Sequence, residues 1–390
     1  MLYNNYKDIK LSRLGFGTMR LPVIDGKINE DETIQMIDYA IENGINYFDT
    51  AYPYMSCKSE VVVGKALARH PRESFYLADK FPGHQIADSY YPEKLFEEQL
   101  SKCQVEYFDF YLLHNVCETC YDVYTDPNWH IIDYFVEQKR LGRIRNLGFS
   151  THAQIDTLRK FLAEYADIMD MCQIQLNYLD WTLQDAKTKY EILSEYNLPI
   201  WVMEPLRGGK LVNLKDTDKE KLATLRPDES TVAWAFRWLM GLPNVKVILS
   251  GMSNMEQMID NVSIFAEDKP LTDAERDILL DIAEGMKTGV PCTGCHYCCD
   301  SCPMELDIPL LIQQYNDLHF SSSFTPLMLI ESMPEEKRPS ACLGCGACAS
   351  NCPQNIDIPN VMSMLAEELS QRPSWAAICK QRAEEAKKAE

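Results

Sequence analysis

The chain is short of positive charge. Lysine and arginine number 38 against 58 acidic residues among 390, leaving a net charge of −20. A balance that acidic argues against binding nucleic acid or an anionic membrane, because both call for a basic surface. Long apolar runs are missing as well. A spanning helix needs about 20 apolar residues, and the best candidate, "TVAWAFRWLMGLP" (231–243), is interrupted by Arg237. The opening "MLYNNYKDIKLSR" carries no apolar segment of the signal-peptide kind. The expectation is a soluble, cytoplasmic protein with neither a nucleic-acid nor a membrane partner. Structural disulfides do not persist in that compartment, so the 15 cysteines point instead to metal or redox chemistry.

At 390 residues the chain exceeds one typical core, though an α/β barrel can use about 250 residues as a single domain. Up to about residue 265, β-rich runs alternate with segments of helical spacing. The runs are "LGFGTM" (14–19), "INYFDT" (45–50), "FYLADKF" (75–81), "FDFYLLH" (108–114), "IRNLGFS" (144–150), "MCQIQLNYL" (171–179), "IWVMEPL" (200–206) and "VKVILSG" (245–251). Each is followed by a helical pattern. In "DETIQMIDYAIENG", for example, Ile34, Ile37 and Ile41 share a face, with Asp31 as the expected cap and Gly44 as the stop. Strict alternation implies a parallel sheet, and eight strands favour a closed (β/α)8 TIM barrel over a doubly wound sheet. The first dozen residues read as a hairpin across the barrel's bottom. The alternation then stops. The expected domains are a barrel over 1–275, a small, mostly helical, cysteine-rich domain over 276–380, and a charged tail over 381–390.

That second domain contains a repeat. "CTGCHYCCDSCPMELDIP" (292–309) and "CLGCGACASNCPQNIDIP" (342–359) both read C-x2-C-x2-C-x3-C-P, then three residues and "DIP". Cys292, Cys295, Cys298 and Cys302 form one set, and Cys342, Cys345, Cys348 and Cys352 the other. This is the bacterial ferredoxin spacing for [4Fe–4S] clusters. Three thiolates two residues apart in a tight loop cap three corners of a cube, and the fourth comes from a more distant segment. Gly294, Gly344 and Gly346 allow the backbone to fold closely round inorganic sulfur. Pro303 and Pro353 turn the chain so that the fourth cysteine points elsewhere. In two-cluster ferredoxins the fourth cysteine serves the other cluster, which would pair Cys302 with Cys342, Cys345 and Cys348, and Cys352 with the first three. Zinc sites use two C-x2-C pairs across a longer loop, which this is not. Cys299 stands outside the pattern. With its helical spacer, the region of about 286–370 resembles the α-helical type of two-cluster ferredoxin domain.

In eight-stranded barrels the active site lies at the C-terminal strand ends. Those ends supply Asp49 and Tyr54 ("FDTAYPY"), Lys80 ("LADKFP") and His114 ("YLLHN"). A tyrosine near pKa 10 is a poor acid at neutral pH. Lys80, held by Asp49, is expected to lower that pKa so that Tyr54 protonates a carbonyl oxygen while His114 orients it. Together with "GFGTMRLP", "NYFDTAYPYMSCKSEVVVGKAL" and "LGFSTH", these residues resemble the aldo-keto reductase family over about residues 5–265. The resemblance implies NAD(P)H as cofactor, Tyr54, Lys80, Asp49 and His114 as a catalytic tetrad, and a small carbonyl or alcohol as substrate. It further implies that Ser150 and Gln173 hold the carboxamide, with Thr151 where the family has asparagine. Leu206, Gly208 and Gly209 in "EPLRGGKL" resemble its pyrophosphate loop. Ser250, Gly251, Ser253, Asn254, Gln257 and Asn261 resemble its adenosine-phosphate segment. Met203 replaces the aromatic that stacks on nicotinamide, and Ser253 with Asn254 occupies the place of an arginine that grips the 2′-phosphate.

Cys117 and Cys120 ("HNVCETC") follow His114, and Cys57 follows Tyr54 by three residues. Two readings stand for them: reduced loop thiols, or a metal or redox dithiol beside the substrate. An electron-counting problem joins the halves, because nicotinamide moves two electrons as hydride and a [4Fe–4S] cluster moves one. FMN in the barrel would bridge the two. Three functions therefore stand. The first is an iron-sulfur aldo-keto reductase-like oxidoreductase with electrons passed via its clusters. The second is a flavin-dependent, ferredoxin-linked reductase of another bond type, and the third an electron carrier with a docking barrel. A redox protein partner suits all three.

Overall fold

The computed structural model describes residues 1–84, 90–118, 120–287, 289–290, 292, 298–299, 301–320, 324–352 and 356–389. Cys295, Gly294 and Pro353 lie outside the described residues. The chain divides into two compact units, Met1–Leu280 and Asp281–Glu390.

The first unit begins with an antiparallel hairpin, β1 (Tyr3–Tyr6) and β2 (Ile9–Ser12). The barrel's first strand is β3 (Leu14–Gly17), followed by an exposed hairpin of β4 (Val23–Ile24) and β5 (Lys27–Ile28). Then come β6 (Tyr47–Asp49), β7 (Tyr76–Phe81), β8 (Phe108–Leu113), β9 (Ile144–Thr151), β10 (Met171–Gln175), β11 (Ile200–Met203) and β12 (Val245–Ser250). Neighbours pair in parallel, and β12 returns to β3, closing an eight-stranded barrel with the eight strands expected from the sequence. The outer helices are α1 (Glu30–Glu42), α2 (Ser59–Leu67), α3 (Pro92–Cys103), α4 (Tyr121–Thr125), α5 (Ile131–Arg140), α6 (Ile155–Tyr165), α7 (Asp180–Leu183), α8 (Ala186–Glu195), α9 (Asp216–Leu225), α10 (Thr231–Met240), α11 (Met255–Ile264) and α12 (Asp273–Met286).

The period of two along a strand decides what lines the interior. Tyr47, Ala78, Phe110, Met171, Trp201 and Val247 pack together as one buried cluster inside the barrel. Asp49, Lys80 and Gln173 lie two residues beyond Tyr47, Ala78 and Met171 on the same strand faces, one layer nearer the C-terminal rim. The hairpin closes the opposite end. Tyr6 meets Phe110 and Trp201 with ring centroids 5.7 and 5.1 Å apart, and its hydroxyl donates to the Asp170 carbonyl just before β10.

Two local readings change, and one hairpin is added. The cap of α1 is Asn29 rather than Asp31: its Oδ1 accepts the Glu32 N–H at 3.3 Å while its Nδ2 donates to the Glu32 carboxylate at 3.0 Å. The sixth barrel strand stops at Gln175, short of Leu179, because Asn177 Oδ1 accepts the N–H groups of Leu179 and Asp180 and folds the chain into α7. The β4–β5 hairpin follows from Asp25 and Gly26, with φ of 51° and 75°, an Asp-Gly turn of the kind that suits two-residue hairpins.

The second unit is helical among its described residues: α13 (Ile308–Phe320), α14 (Thr325–Ser332), α15 (Ala347–Ser350), α16 (Ile358–Ser370) and α17 (Trp375–Ala389). The repeated "DIP" is a helix start. Asp307 Oδ1 accepts the Leu310 N–H, Asp357 Oδ1 accepts the Asn360 N–H, and each proline sits in the first turn. The two cysteine cassettes therefore feed two long helices. Leu306, Ile308, Leu311, Ile312, Ile358, Met362 and Leu365 form the core between them, and Cys298 and Cys348 are buried in it. No described helix is long and apolar enough to cross a membrane.

Candidate active site and cluster ligands

At the rim of the barrel, Asp49 ends β6, Lys80 lies near the end of β7, and His114 directly follows β8 with its N–H on the Phe81 carbonyl. Tyr54 sits in the turn after β6, just before three consecutive left-handed residues, Met55, Ser56 and Cys57. Side chains 31 and 26 residues apart in sequence converge here. Lys80 Nζ donates to Asp49 Oδ1 at 2.5 Å and to the Thr50 carbonyl at 2.8 Å, and stands 3.4 Å from the Tyr54 hydroxyl. The His114 ring meets the Tyr54 ring edge-on, centroids 5.8 Å apart. The four residues of the expected tetrad are brought together.

Their electrostatics follow from burial and neighbours. Burial alone would pull the Lys80 ammonium down, but the Asp49 carboxylate and Tyr54 outweigh it and the net direction is up. Burial lifts the Asp49 carboxyl, with Lys80 and Gln173 opposing. Burial also pushes the Tyr54 phenol up, and this corrects the expectation that Lys80 would lower it overall. Lys80 does act downward on Tyr54, but loss of solvent is the larger effect. The phenol is held protonated, the form a proton donor needs. Burial, then His84 and Lys80, drive His114 well below the ordinary imidazole range, so it is neutral. The His84 ring lies 4.3 Å from that of His114, a neighbour that the sequence reading did not single out.

The expected cofactor residues divide into two kinds. Gln173 is buried, and its Oε1 has no hydrogen-bond partner among the described residues, an acceptor fit for a carboxamide N–H. Gly208 and Gly209, at φ of 64° and 94°, follow Leu206 in an open loop, and a methyl group on Gly209 would meet nothing within 4 Å. These positions suit a dinucleotide. Others are engaged within the protein. Ser150 Oγ accepts the Asn115 N–H at 2.8 Å, and Thr151 Oγ1 donates to the Val116 carbonyl at 2.6 Å. Ser250 Oγ accepts from Asn261 Nδ2, both buried. Asn254 caps α11 through the Gln257 N–H, Gln257 Oε1 takes the Ser253 N–H, and Gly251 is exposed.

Two features escaped the sequence reading. Arg20, the last residue of "GFGTMR", spans the loops after β11 and β12: methyl groups built on Gly208 and Gly251 would stand 3.4 and 3.5 Å from its side chain. Beneath the Gly208 loop, Arg207 Nε pairs with Asp180 Oδ1 at 2.8 Å, both fully buried, and Asp180 also accepts from Gln175 and Asn177. Burial and Arg207 bring the nearby Lys210 ammonium down to about 8. Arg207 is thus neutralised by Asp180 beneath the loop, and the Lys210 ammonium gives up its proton more readily than an exposed lysine.

Cys117 and Cys120 are buried with sulfurs 3.5 Å apart. Among the described residues no three metal-ligating side chains are drawn together into a closed group, neither Cys57 with Cys117 and Cys120 nor the cysteines of the second unit. In the second unit, Cys302, Cys342, Cys345 and Cys348 line one cavity with Leu306, Ile358 and Met362. The fourth cysteine of the first cassette therefore faces the first three of the second. Gly344 and Gly346 have φ of 65° and 75°, bending the loop round that cavity. Cys292, Cys298, Cys299 and Cys352 pack on the same apolar core. Four cysteines bordering one cavity in an apolar core are the donor type an iron-sulfur cluster takes, though their sulfurs are not drawn into a closed group here.

Two family models match, one in each unit, and the individual relatives are reductases that cover part of the chain. The model of the aldo/keto reductase family matches residues 13–284, and that of a 4Fe-4S dicluster domain matches 291–356. A probable aldo-keto reductase 1 of Glycine max is 31% identical over 212 residues, which are 51% of this chain and 57% of that protein. An NADH-specific methylglyoxal reductase of Escherichia coli is 25% identical across 72% of this chain and 97% of its own length. The aldo-keto reductase AKR11C1 of Bacillus halodurans in its holo form superposes with a TM-score of 0.58 at 25% identity, covering 72% of this chain and 96% of that one. An aldo-keto reductase from Klebsiella pneumoniae in complex with NADPH shares the fold, with a TM-score of 0.58 at 18% identity over 73% of this chain and 96% of its own. The chain belongs to the aldo/keto reductase family and is an oxidoreductase whose barrel is followed by a 4Fe-4S domain.

Proposed function

We propose that the barrel reduces the carbonyl of a small molecule, or oxidises the corresponding alcohol, with Tyr54 as the proton donor. The observation that carries this reading is the contact chain Asp49–Lys80–Tyr54 beside a neutral His114. A carbonyl oxygen placed between the Tyr54 hydroxyl and His114 gains two polarising neighbours. A buried ammonium 3.4 Å from the phenol steadies the phenolate left when the proton moves. Asp49 keeps that ammonium in place and charged. NAD(P)H supplies the hydride when bound. Gln173 would hold its carboxamide, Ser150 would shape the same wall through Asn115, and Leu206, Gly208 and Gly209 with Arg20 would receive its phosphates. Ser250, Gly251, Ser253, Asn254, Gln257 and Asn261 would form the adenosine end, with no arginine at Ser253 or Asn254 to fix a 2′-phosphate. FMN is the alternative occupant of the same phosphate loop.

In the second unit two [4Fe–4S] clusters would be held, one by Cys292, Cys295, Cys298 and Cys352, the other by Cys342, Cys345, Cys348 and Cys302. Clusters held there would supply one-electron transfer, and a redox protein partner in the cytoplasm would be the other party to it. The proposed domain limits remain 1–275, 276–380 and 381–390.

Anaerobically purified protein is assayed for carbonyl-dependent oxidation of NADH and NADPH, with iron, sulfide, flavin and nicotinamide quantified on the same sample. Tyr54→Phe should lower kcat about 10²- to 10⁴-fold with an unchanged circular dichroism spectrum. Full activity in that variant, or activity driven only by a one-electron donor, would reject the hydride reading, and a stoichiometric flavin would support the second.

A further inference from the structure

We propose that Cys117 and Cys120 form a redox-active dithiol whose closure to a disulfide switches the geometry of His114. Both side chains are buried, and their sulfurs lie 3.5 Å apart at a tight turn in which Cys120 N–H donates to the Cys117 carbonyl. A disulfide needs about 2.05 Å between sulfurs and Cβ atoms about 3.8 Å apart, so closure asks for a shift of about 1.5 Å within one turn. Burial and Cys117 hold the Cys120 thiol well above its ordinary value. As a free thiol it is therefore poorly reactive, and it reacts through proximity to its partner rather than through acidity.

The pair is wired to the catalytic end of β8. Cys120 Sγ donates to the Asn115 carbonyl at 2.9 Å, and Asn115 is the left-handed residue directly after His114. The Asn115 N–H donates to Ser150 Oγ, and Asn115 Oδ1 accepts the His152 N–H. Cys120 also precedes α4, from which the Tyr124 hydroxyl donates to the His114 carbonyl at 2.7 Å and the Phe81 carbonyl at 3.0 Å. In the dithiol state the S–H thus helps hold the backbone that aims His114. In the disulfide state that donor is gone and the turn bearing Tyr124 is drawn toward Cys117.

The chemistry balances with a small-molecule disulfide as oxidant. Cys117, the more exposed of the two, attacks the disulfide and releases one thiol. Cys120 then loses its proton and attacks the Cys117 sulfur, forming the internal disulfide and releasing the second thiol. Two electrons and two protons leave the protein and reduce the oxidant to two thiols. A dithiol reductant reverses the sequence.

The test uses the full chain with its clusters, equilibrated anaerobically with glutathione and its disulfide in varied ratio, then alkylated, digested with trypsin and weighed. Peptide 103–139 contains Cys103, Cys117 and Cys120. The expected product has lost two hydrogens, with Cys103 alkylated and the bond assigned to Cys117–Cys120. Both sulfurs alkylated at every ratio, or only mixed disulfides with glutathione, would overturn the proposal. The coupling to His114 rests on the reductase reading above and is measured separately. Carbonyl reduction should fall about tenfold or more in the oxidised protein, return with dithiothreitol, and be insensitive in Cys117→Ser/Cys120→Ser, whose hydroxyl keeps a donor for Asn115. Bond formation with unchanged activity overturns the coupling alone. An inactive reduced protein in which the bond still forms overturns the reductase reading and leaves the dithiol standing.

Discussion

Lys80 is the residue on which two roles converge, and they are separable. Its ammonium is 1% exposed and is the cation paired with the buried Asp49 carboxylate. Lys80→Met should lower stability by about 3–5 kcal/mol, because it leaves that carboxylate buried and uncompensated. Adding Asp49→Asn should recover much of the melting temperature without restoring kcat. Equal loss of stability in both variants would contradict this account of the pair. At His152, burial and then Lys189 bring the imidazole down to about 4. The unfolded chain binds this proton near pH 6.5, so protonation favours the unfolded state as pH falls from about 6.5 to about 4. Stability present above that window is lost through it, at most about 3 kcal/mol for one half-buried group. His152→Gln removes this dependence. Its melting temperature relative to the unaltered protein should rise as pH is lowered from 7 to 4.5, and a constant difference would show that His152 is not held neutral. The strand-end positions of Asp49, Lys80 and His114 were legible from the strand ends. The upward shift of Tyr54 was not, because the burial that outweighs Lys80 arises only when the surrounding loops close.

Among the elements, α2 and α3 are tied by a contact that no sequence pattern announces. A methyl group on Gly64 would stand 2.5 Å from the Lys102 carbonyl and 2.7 Å from the Cys103 backbone. Glycine normally weakens a helix interior, so this one is explained by close backbone approach. Gly64→Ala should destabilise the protein by about 1–3 kcal/mol despite its better helix propensity, as overpacking against rigid backbone does. A gain in melting temperature would refute it. Nearby, Glu60, Gln99 and Tyr111 are buried and linked, with Gln99 Nε2 also donating to the Lys80 carbonyl, so the α2–α3 pair supports the strand that carries Lys80. The repeated "DIP" is the opposite case. It reads in one dimension, because an Asp cap and a first-turn proline act within four residues. The hairpin at Asp25–Gly26 went unread, although an Asp-Gly pair is a short-range turn signal.

For the whole molecule, the two units rest on different supports. The barrel buries an extensive aromatic and aliphatic interior. The second unit packs its core directly against cysteines of both cassettes. Removing iron with a chelator under reducing conditions should therefore raise hydrogen exchange in α13 and α16 while leaving barrel strands such as β7 and β8 protected. Unchanged exchange in α13 and α16 would show that their core stands without metal. Sequence by itself determined what depends on short-range rules. These are the alternation that builds eight strands, the residues that end those strands, and the spacing that gathers three thiolates in one loop. Tertiary structure alone decided what depends on segments distant in the chain. It laid Arg20 across the Gly208 and Gly251 loops, set His84 against His114, and created the burial that holds Tyr54 protonated and His114 neutral. The reason is physical: spacing constrains neighbours along a strand or loop, whereas desolvation and convergence exist only once the chain has closed on itself.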